Sequence, residues 1–286
     1  MSSPLISAPA LRALLASGSP VLLADCSFDL ASPAAGEAAY AQQHLPGAIY
    51  LHLDRDLSAP GAGPAINGGR HPLPDREAFA AHLAAKGFDQ SSTVVAYDRT
   101  GGMYAARLWW MLRWIGHGAV QVLDGGVAAW DTAGGALQSA PVAPLPVGVM
   151  PVRPALGPLL KYHEVVAGLG HGQRLIVDAR SPDRFRGENE TLDPIGGRIP
   201  GAANRFFKDN LGADGCFKPA EQLRAEWRAI MGARSAFDLV AQCGSGVTAC
   251  HNLVALEAAG LHGAALYAGS WSEWCREPGA PMATGA

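Results

Sequence analysis

The sequence predicts an α/β protein made of two similar halves, each a parallel sheet with helices on both faces. Three observations predict it. Blocks recur in the same order about half a chain apart: "YAQQHLPGAIYLHLD" (Tyr40–Asp54) is echoed by "GGRIPGAANRFFKDN" (Gly196–Asn210), Val94–Leu112 by Asp238–Leu256, and Gln121–Trp130 by Ala265–Trp274. Ordered repetition of this kind points to duplication. Short apolar runs alternate with helical patterns, which implies parallel strands covered on both sides. Finally, 286 residues with 49% apolar content are long for one compact domain and sufficient for two cores.

In the first half, Asp75 reads as the N-cap of a helix running through Lys86, and "VVAY" (Val94–Tyr97) follows as a strand. Thr132–Pro158 is rich in proline and glycine, which forbids regular helix and suits an extended linker. The expected domains are therefore residues 1–145 and 152–286. In the second half, Leu175–Asp178, Asp238–Gln242 and Ala264–Tyr267 read as buried strands. Pro219–Met231 and Val247–Ala259 carry apolar residues at three-and-four spacing and read as helices. Trp109, Trp110, Trp271 and Trp274 are expected to pack in the cores or between the domains.

Composition removes several functions. A net charge of -3 without any Lys/Arg cluster excludes a basic nucleic-acid surface. The N-terminal residues lack a basic segment followed by a long apolar one, so no signal peptide is read, and no stretch approaches the roughly 18 apolar residues of a membrane span. The five cysteines (Cys26, Cys216, Cys243, Cys250, Cys275) are odd in number, scattered, and free of any C-x-x-C pair. That usage points to a reducing compartment, with the cytoplasm as the expected location.

The stretch that carries chemistry is "LVAQCGSGVTACHN" (Leu239–Asn252). Ligands in open parallel sheets gather beyond the carboxyl ends of strands, and Cys243 stands at such an end with a helix beginning a few residues later. The first turn of a helix leaves N–H groups unpaired and carries partial positive charge. Gly244 and Gly246 can let backbone N–H groups converge, because glycine tolerates dihedrals closed to other residues. A thiolate in such a nest has its pKa pulled below the free value of about 8.5. A buried structural thiol is the competing explanation, and it must account for both glycines by turn geometry alone. Cysteine-dependent phosphatases need an arginine six residues after the cysteine, where this chain has Ala249. A Walker-type loop needs Gly-Lys-Ser/Thr, which is absent.

With these residues in view, the chain resembles the rhodanese superfamily, specifically its tandem-domain sulfurtransferases, through both halves and in order. "YAQQHLPGAIYL" is similar to that family's N-terminal motif, "LYAGSWSEW" to its C-terminal one, and "CGSGVTA" to the active loop of the 3-mercaptopyruvate enzymes. Thiosulfate-preferring relatives usually carry basic residues after the cysteine, where this chain has Gly244 and Ser245. The resemblance implies that Cys243 takes sulfur from the donor as a persulfide, releasing pyruvate, and passes it to a thiol such as thioredoxin or glutathione, or to cyanide. It implies no metal or organic cofactor. Thiosulfate as donor is the nearest alternative, and a non-catalytic regulatory module is a more distant one; silent copies tend to lose the cysteine, which is retained here.

The resemblance also implies roles for particular residues. Ser245, with His71 of "GGRHPLP" and Asp54, would form a proton relay, with the first half lending Asp54 and His71 to the site. Gly244, Gly246, Val247 and Thr248 would complete the donor-binding loop. Arg184 would bind the donor carboxylate, with Arg186 nearby, and Tyr104 would line the site or serve packing alone. The mercaptopyruvate enzymes often add a second arginine nine residues after the first, and this chain has Asp193 there. Arg198 stands where relatives commonly have histidine in H-I-P-G; its charge would compensate, or it and Arg186 would be solvated surface arginines only. Asp98 occupies the place of the cysteine in the first half and would make that half catalytically silent. Cys250, two helical turns past Cys243, is expected in the core.

Overall fold

The computed structural model describes residues 3–285; the outer limits expected for the two domains, residues 1 and 286, lie outside them. The chain forms two compact units. One holds the chain up to Ala65 with Pro74–Leu156 and Gly212–Phe217; the other holds Ile66–Leu73, Gly157–Leu211 and the chain from Lys218 on. The units are thus not simple halves, and the exchange of Ile66–Leu73 matters for the site below.

The first unit contains β1 (Leu5–Ile6), β2 (Val21–Asp25), β3 (Ile49–Tyr50), β4 (Thr93–Tyr97) and β5 (Val120–Leu123), paired in parallel in the order β1-β5-β4-β2-β3. The second contains β6 (Leu159–Leu160), β7 (Leu175–Asp178), β8 (Ala203–Asn204), β9 (Leu239–Gln242) and β10 (Ala265–Tyr267), in the order β6-β10-β9-β7-β8, again all parallel. The two orders are the same with numbers advanced by five, as duplication requires. The central strands β4 and β9 are apolar almost throughout and buried, because helices cover both faces.

Local chemistry explains the boundaries. Asp75 caps the helix Arg76–Ala85 by accepting from the N–H groups of Glu77 and Ala78 at 3.0 and 3.1 Å. The helices Ala220–Met231 and Thr248–Ala258 fall where the three-and-four spacing put them. Between Thr132 and Leu159 there is no helix or strand. That segment is nonetheless stitched to the first unit, with Gly148 N–H on the Ala84 carbonyl and Arg153 N–H on that of Ile115. Trp109, Trp110, Trp271, Trp274 and Cys250 are all buried. Among the described residues, no helix is long and apolar enough to cross a membrane.

Candidate active site

Cys243 is the first residue beyond β9, the middle strand of the second sheet, and is only 2% exposed. The N–H of Gly246 donates to its Sγ at 3.1 Å. Its backbone is clamped from the segment after β10: Cys243 N–H donates to Ser270 Oγ at 3.1 Å, and that hydroxyl donates to the Tyr267 carbonyl at 2.9 Å. Trp271 N–H then meets the Cys243 carbonyl, and Ser272 N–H the Gly244 carbonyl. Ser270 holds φ at +54°, an unusual conformation for a non-glycine residue and one often stored at functional loops. Gly246 has φ of +77°, and an added Cβ would stand 2.3 Å from the Ala268 carbonyl oxygen, so only glycine fits. The same reading of Gly244 needs correction, because its φ lies outside the left-handed region. Its role is room: an added Cβ would sit 3.1 Å from Arg70 Nη2 and 3.5 Å from Arg184 Nη2.

Ser245 Oγ and His71 Nδ1 are 2.7 Å apart, with both residues buried. His71 precedes β9 by most of the chain, yet its segment packs as part of the second unit. Gly68 N–H donates to Glu273 Oε1 at 2.6 Å and Arg70 N–H to Ser272 Oγ at 2.9 Å, so "GSWSEW" holds both the cysteine loop and the histidine segment. Within the segment, Asn67 Oδ1 accepts from Leu73 N–H at 2.8 Å. Asp54 lies in the first unit, on the short helix Leu53–Asp56, with its N–H on His52 Nδ1. Tyr104 is also in the first unit, its ring edge-on to Phe28, and burial raises its pKa. Val247 is buried at the end of the cysteine loop, and Thr248 opens the following helix.

The arginines separate into two groups. Arg184 forms hydrogen bonds to Glu190 at 2.9 and 3.1 Å, and its Nη2 is 3.7 Å from Asp193 Oδ2. Asp193 Oδ1 accepts from Arg70 at 2.7 Å and from Arg276 at 3.2 Å. Burial opposes the charge on Glu190, but hydrogen bonds from Arg184 and from backbone N–H groups outweigh it and hold this carboxyl below its usual range. Arg180 is buried on Asp178 and stacks over Trp271. Arg186 instead pairs with Glu188 at the surface. Arg198 donates to the Gly285 carbonyl and stacks over Phe185, where it anchors the last residues described. Sequence reasoning missed Arg70, Glu190 and Arg276. The available signal is adjacency: Arg70 immediately precedes His71.

Burial raises the pKa of Cys26 and Cys275, and burial with the nearby Asp124 and Asp214 pushes Cys216 up to about 11. Such thiols are poor nucleophiles at neutral pH. Cys250 donates its S–H to the Gly246 carbonyl at 3.3 Å.

Two parallel sheets of the same strand order, one with a cysteine and the other with an aspartate just beyond the central strand, define a two-domain protein of rhodanese type. The chain belongs to the Rhodanese-like domain family, which matches residues 7–133 and 161–277. It is 47% identical over 285 residues to a Pseudomonas aeruginosa protein named "probable 3-mercaptopyruvate sulfurtransferase", covering 99% of each chain. It is 35% identical over 244 residues to mouse thiosulfate sulfurtransferase, covering 83% of this chain and 79% of the mouse protein. Among solved structures, 3-mercaptopyruvate sulfurtransferase from Leishmania major superposes with a TM-score of 0.84 at 30% identity, covering 97% of this chain and 76% of that one.

Proposed function

We propose that the protein is a sulfurtransferase that moves sulfur from 3-mercaptopyruvate to a thiol or cyanide through a persulfide on Cys243. One observation carries this reading: a cysteine at the carboxyl end of the central strand receives an N–H bond on its sulfur, next to a buried Ser245–His71 pair. In the first step the Cys243 thiolate attacks the donor sulfur. An S–S bond forms, the carbon–sulfur bond breaks, and its electron pair stays on carbon as the enolate of pyruvate. Ser245, hydrogen-bonded to His71, is the group that supplies the proton to this carbanion. An acceptor thiolate such as that of thioredoxin or glutathione, or cyanide, then attacks the outer sulfur and returns Cys243 as thiolate. The five unpaired cysteines support a reducing location, the cytoplasm.

Thiosulfate is the alternative donor, favoured by the likeness to the mouse enzyme. The two readings separate on proton demand. Sulfite leaves thiosulfate as a stable anion, whereas pyruvate enolate needs a proton. Ser245→Ala and His71→Ala are therefore expected to lower kcat/KM for 3-mercaptopyruvate by about 10²-fold and for thiosulfate by much less. Parallel kinetics at matched cyanide will measure this, and equal losses for both donors would remove the relay. Intact-mass measurement after donor exposure tests the carrier, with one added sulfur expected on the Cys243 peptide.

A further inference from the structure

Two guanidinium groups from distant segments flank the residue bonded to the nucleophile. A Cβ on Gly244 would stand 3.1 Å from Arg70 Nη2 and 3.5 Å from Arg184 Nη2. The donors considered above are anions, and paired arginine forks suit carboxylate and oxyanion geometry. Arg70 is also built into place from two sides. Its N–H is fixed on Ser272 Oγ, and its Nη1 on Asp193, whose side chain is fully buried. Yet its Nε–H is buried without a hydrogen-bond partner among the described residues. Buried donors are almost always satisfied, so an unsatisfied one on a side chain whose Nη2 reaches Gly244 points to a ligand that completes it.

We infer that Arg70 is a donor-binding residue, acting with Arg184 on the anionic end of the sulfur donor, and that Asp193 is its positioning residue. The inference rests on the sulfurtransferase reading above. It also gives Asp193 a purpose: the aspartate holds a second arginine delivered from the His71 segment. Arg70 spans the gap that an arginine at position 193 would otherwise fill. Preorganisation by Ser272 and Asp193 means that little side-chain freedom is lost when the donor binds.

The test uses the full chain and initial rates with 3-mercaptopyruvate, separating KM from kcat. Arg70→Ala should raise the donor KM at least about tenfold with kcat changed less than about threefold, the pattern of lost uniform binding. Arg70→Lys, which keeps the charge near Asp193 but loses the fork, should recover only part of that rise and covers the case in which the alanine variant does not fold. Asp193→Asn should raise KM by a smaller factor, and the KM for cyanide should stay put in all three. An unchanged donor KM in Arg70→Ala or Arg70→Lys, whatever happens to kcat, overturns the inference. The wild-type intact mass separates this failure from that of the parent reading: with no sulfur on Cys243 from either donor the sulfurtransferase falls, whereas a persulfide with unchanged KM in the variants sinks Arg70 alone.

Discussion

Cys243→Ser is expected to lower sulfur transfer from both 3-mercaptopyruvate and thiosulfate by on the order of 10³-fold or more, with the thermal unfolding midpoint nearly unchanged. The size follows from the role. In the proposed mechanism the sulfur atom is at once the nucleophile and the carrier, and a serine hydroxyl is neither ionised near neutral pH nor able to hold sulfane sulfur. The mildness for the fold follows from the surroundings. Ser270 Oγ and the N–H groups of Trp271 and Ser272 bind the backbone of Cys243 and Gly244, and the substitution leaves all of them in place. Only the Gly246 N–H contact to Sγ changes, and an oxygen can still accept it. Rates with either donor and a melting curve are enough. A variant retaining more than a tenth of the activity would move the carrier to another thiol, and the raised pKa values of Cys26, Cys216 and Cys275 make each of them a poor substitute.

The parts of this protein legible in the sequence are those set by local pattern. Continuous apolar runs mark β4, β7 and β9, because strands buried on both faces need no polar alternation. Asp75 announces its helix because the cap is made within three residues. The repeat places Cys243 at the end of its strand, and resemblance pairs Ser245 with His71. What was not legible depends on atoms brought together by the tertiary fold. The Arg70–Asp193 pair joins residues 123 positions apart, and the Gly68–Glu273 bond joins residues 205 apart. No periodicity encodes either. Asp193 was read by its place in a motif, as an arginine lost, although its meaning lies in the partner that reaches it. Gly244 was assigned a dihedral role when its constraint is the space taken by two arginines. The membership of Ile66–Leu73 in the second unit is hidden for the same reason: Gly68, Arg70 and His71 attach it by hydrogen bonds to Glu273, Ser272, Asp193 and Ser245, residues far away in sequence.

The second large effect belongs to the silent copy. Asp98 is the first residue beyond β4, where Cys243 stands beyond β9, and it is completely buried. Its Oδ1 accepts from the N–H groups of Thr100 and Gly102 at 2.8 and 2.9 Å, and its Oδ2 from those of Tyr104 and Ala105 at 2.8 and 2.9 Å. The loop that would cradle an external anion is thus filled by a carboxylate of the chain itself, so the first unit lacks both the nucleophile and the vacancy. Asp98→Ala would remove the acceptor of four N–H donors, three of them buried and each worth about 1–3 kcal/mol if water cannot reach it. Partial rescue by water entering the space brings the expected loss to about 3–5 kcal/mol. The midpoint of the first unit's unfolding should then fall by on the order of 10 °C. Asp98→Asn should lie in between, since its amide oxygen can serve two of the donors while its NH₂ faces the others. Denaturant titration of both variants, followed by tryptophan fluorescence, measures the effect, and a loss below about 1 kcal/mol for the alanine variant would mean that the carboxylate does not hold this loop. Because multi-domain chains depart from two-state unfolding, calorimetry should accompany the titration, and the lower-temperature transition is the one expected to move.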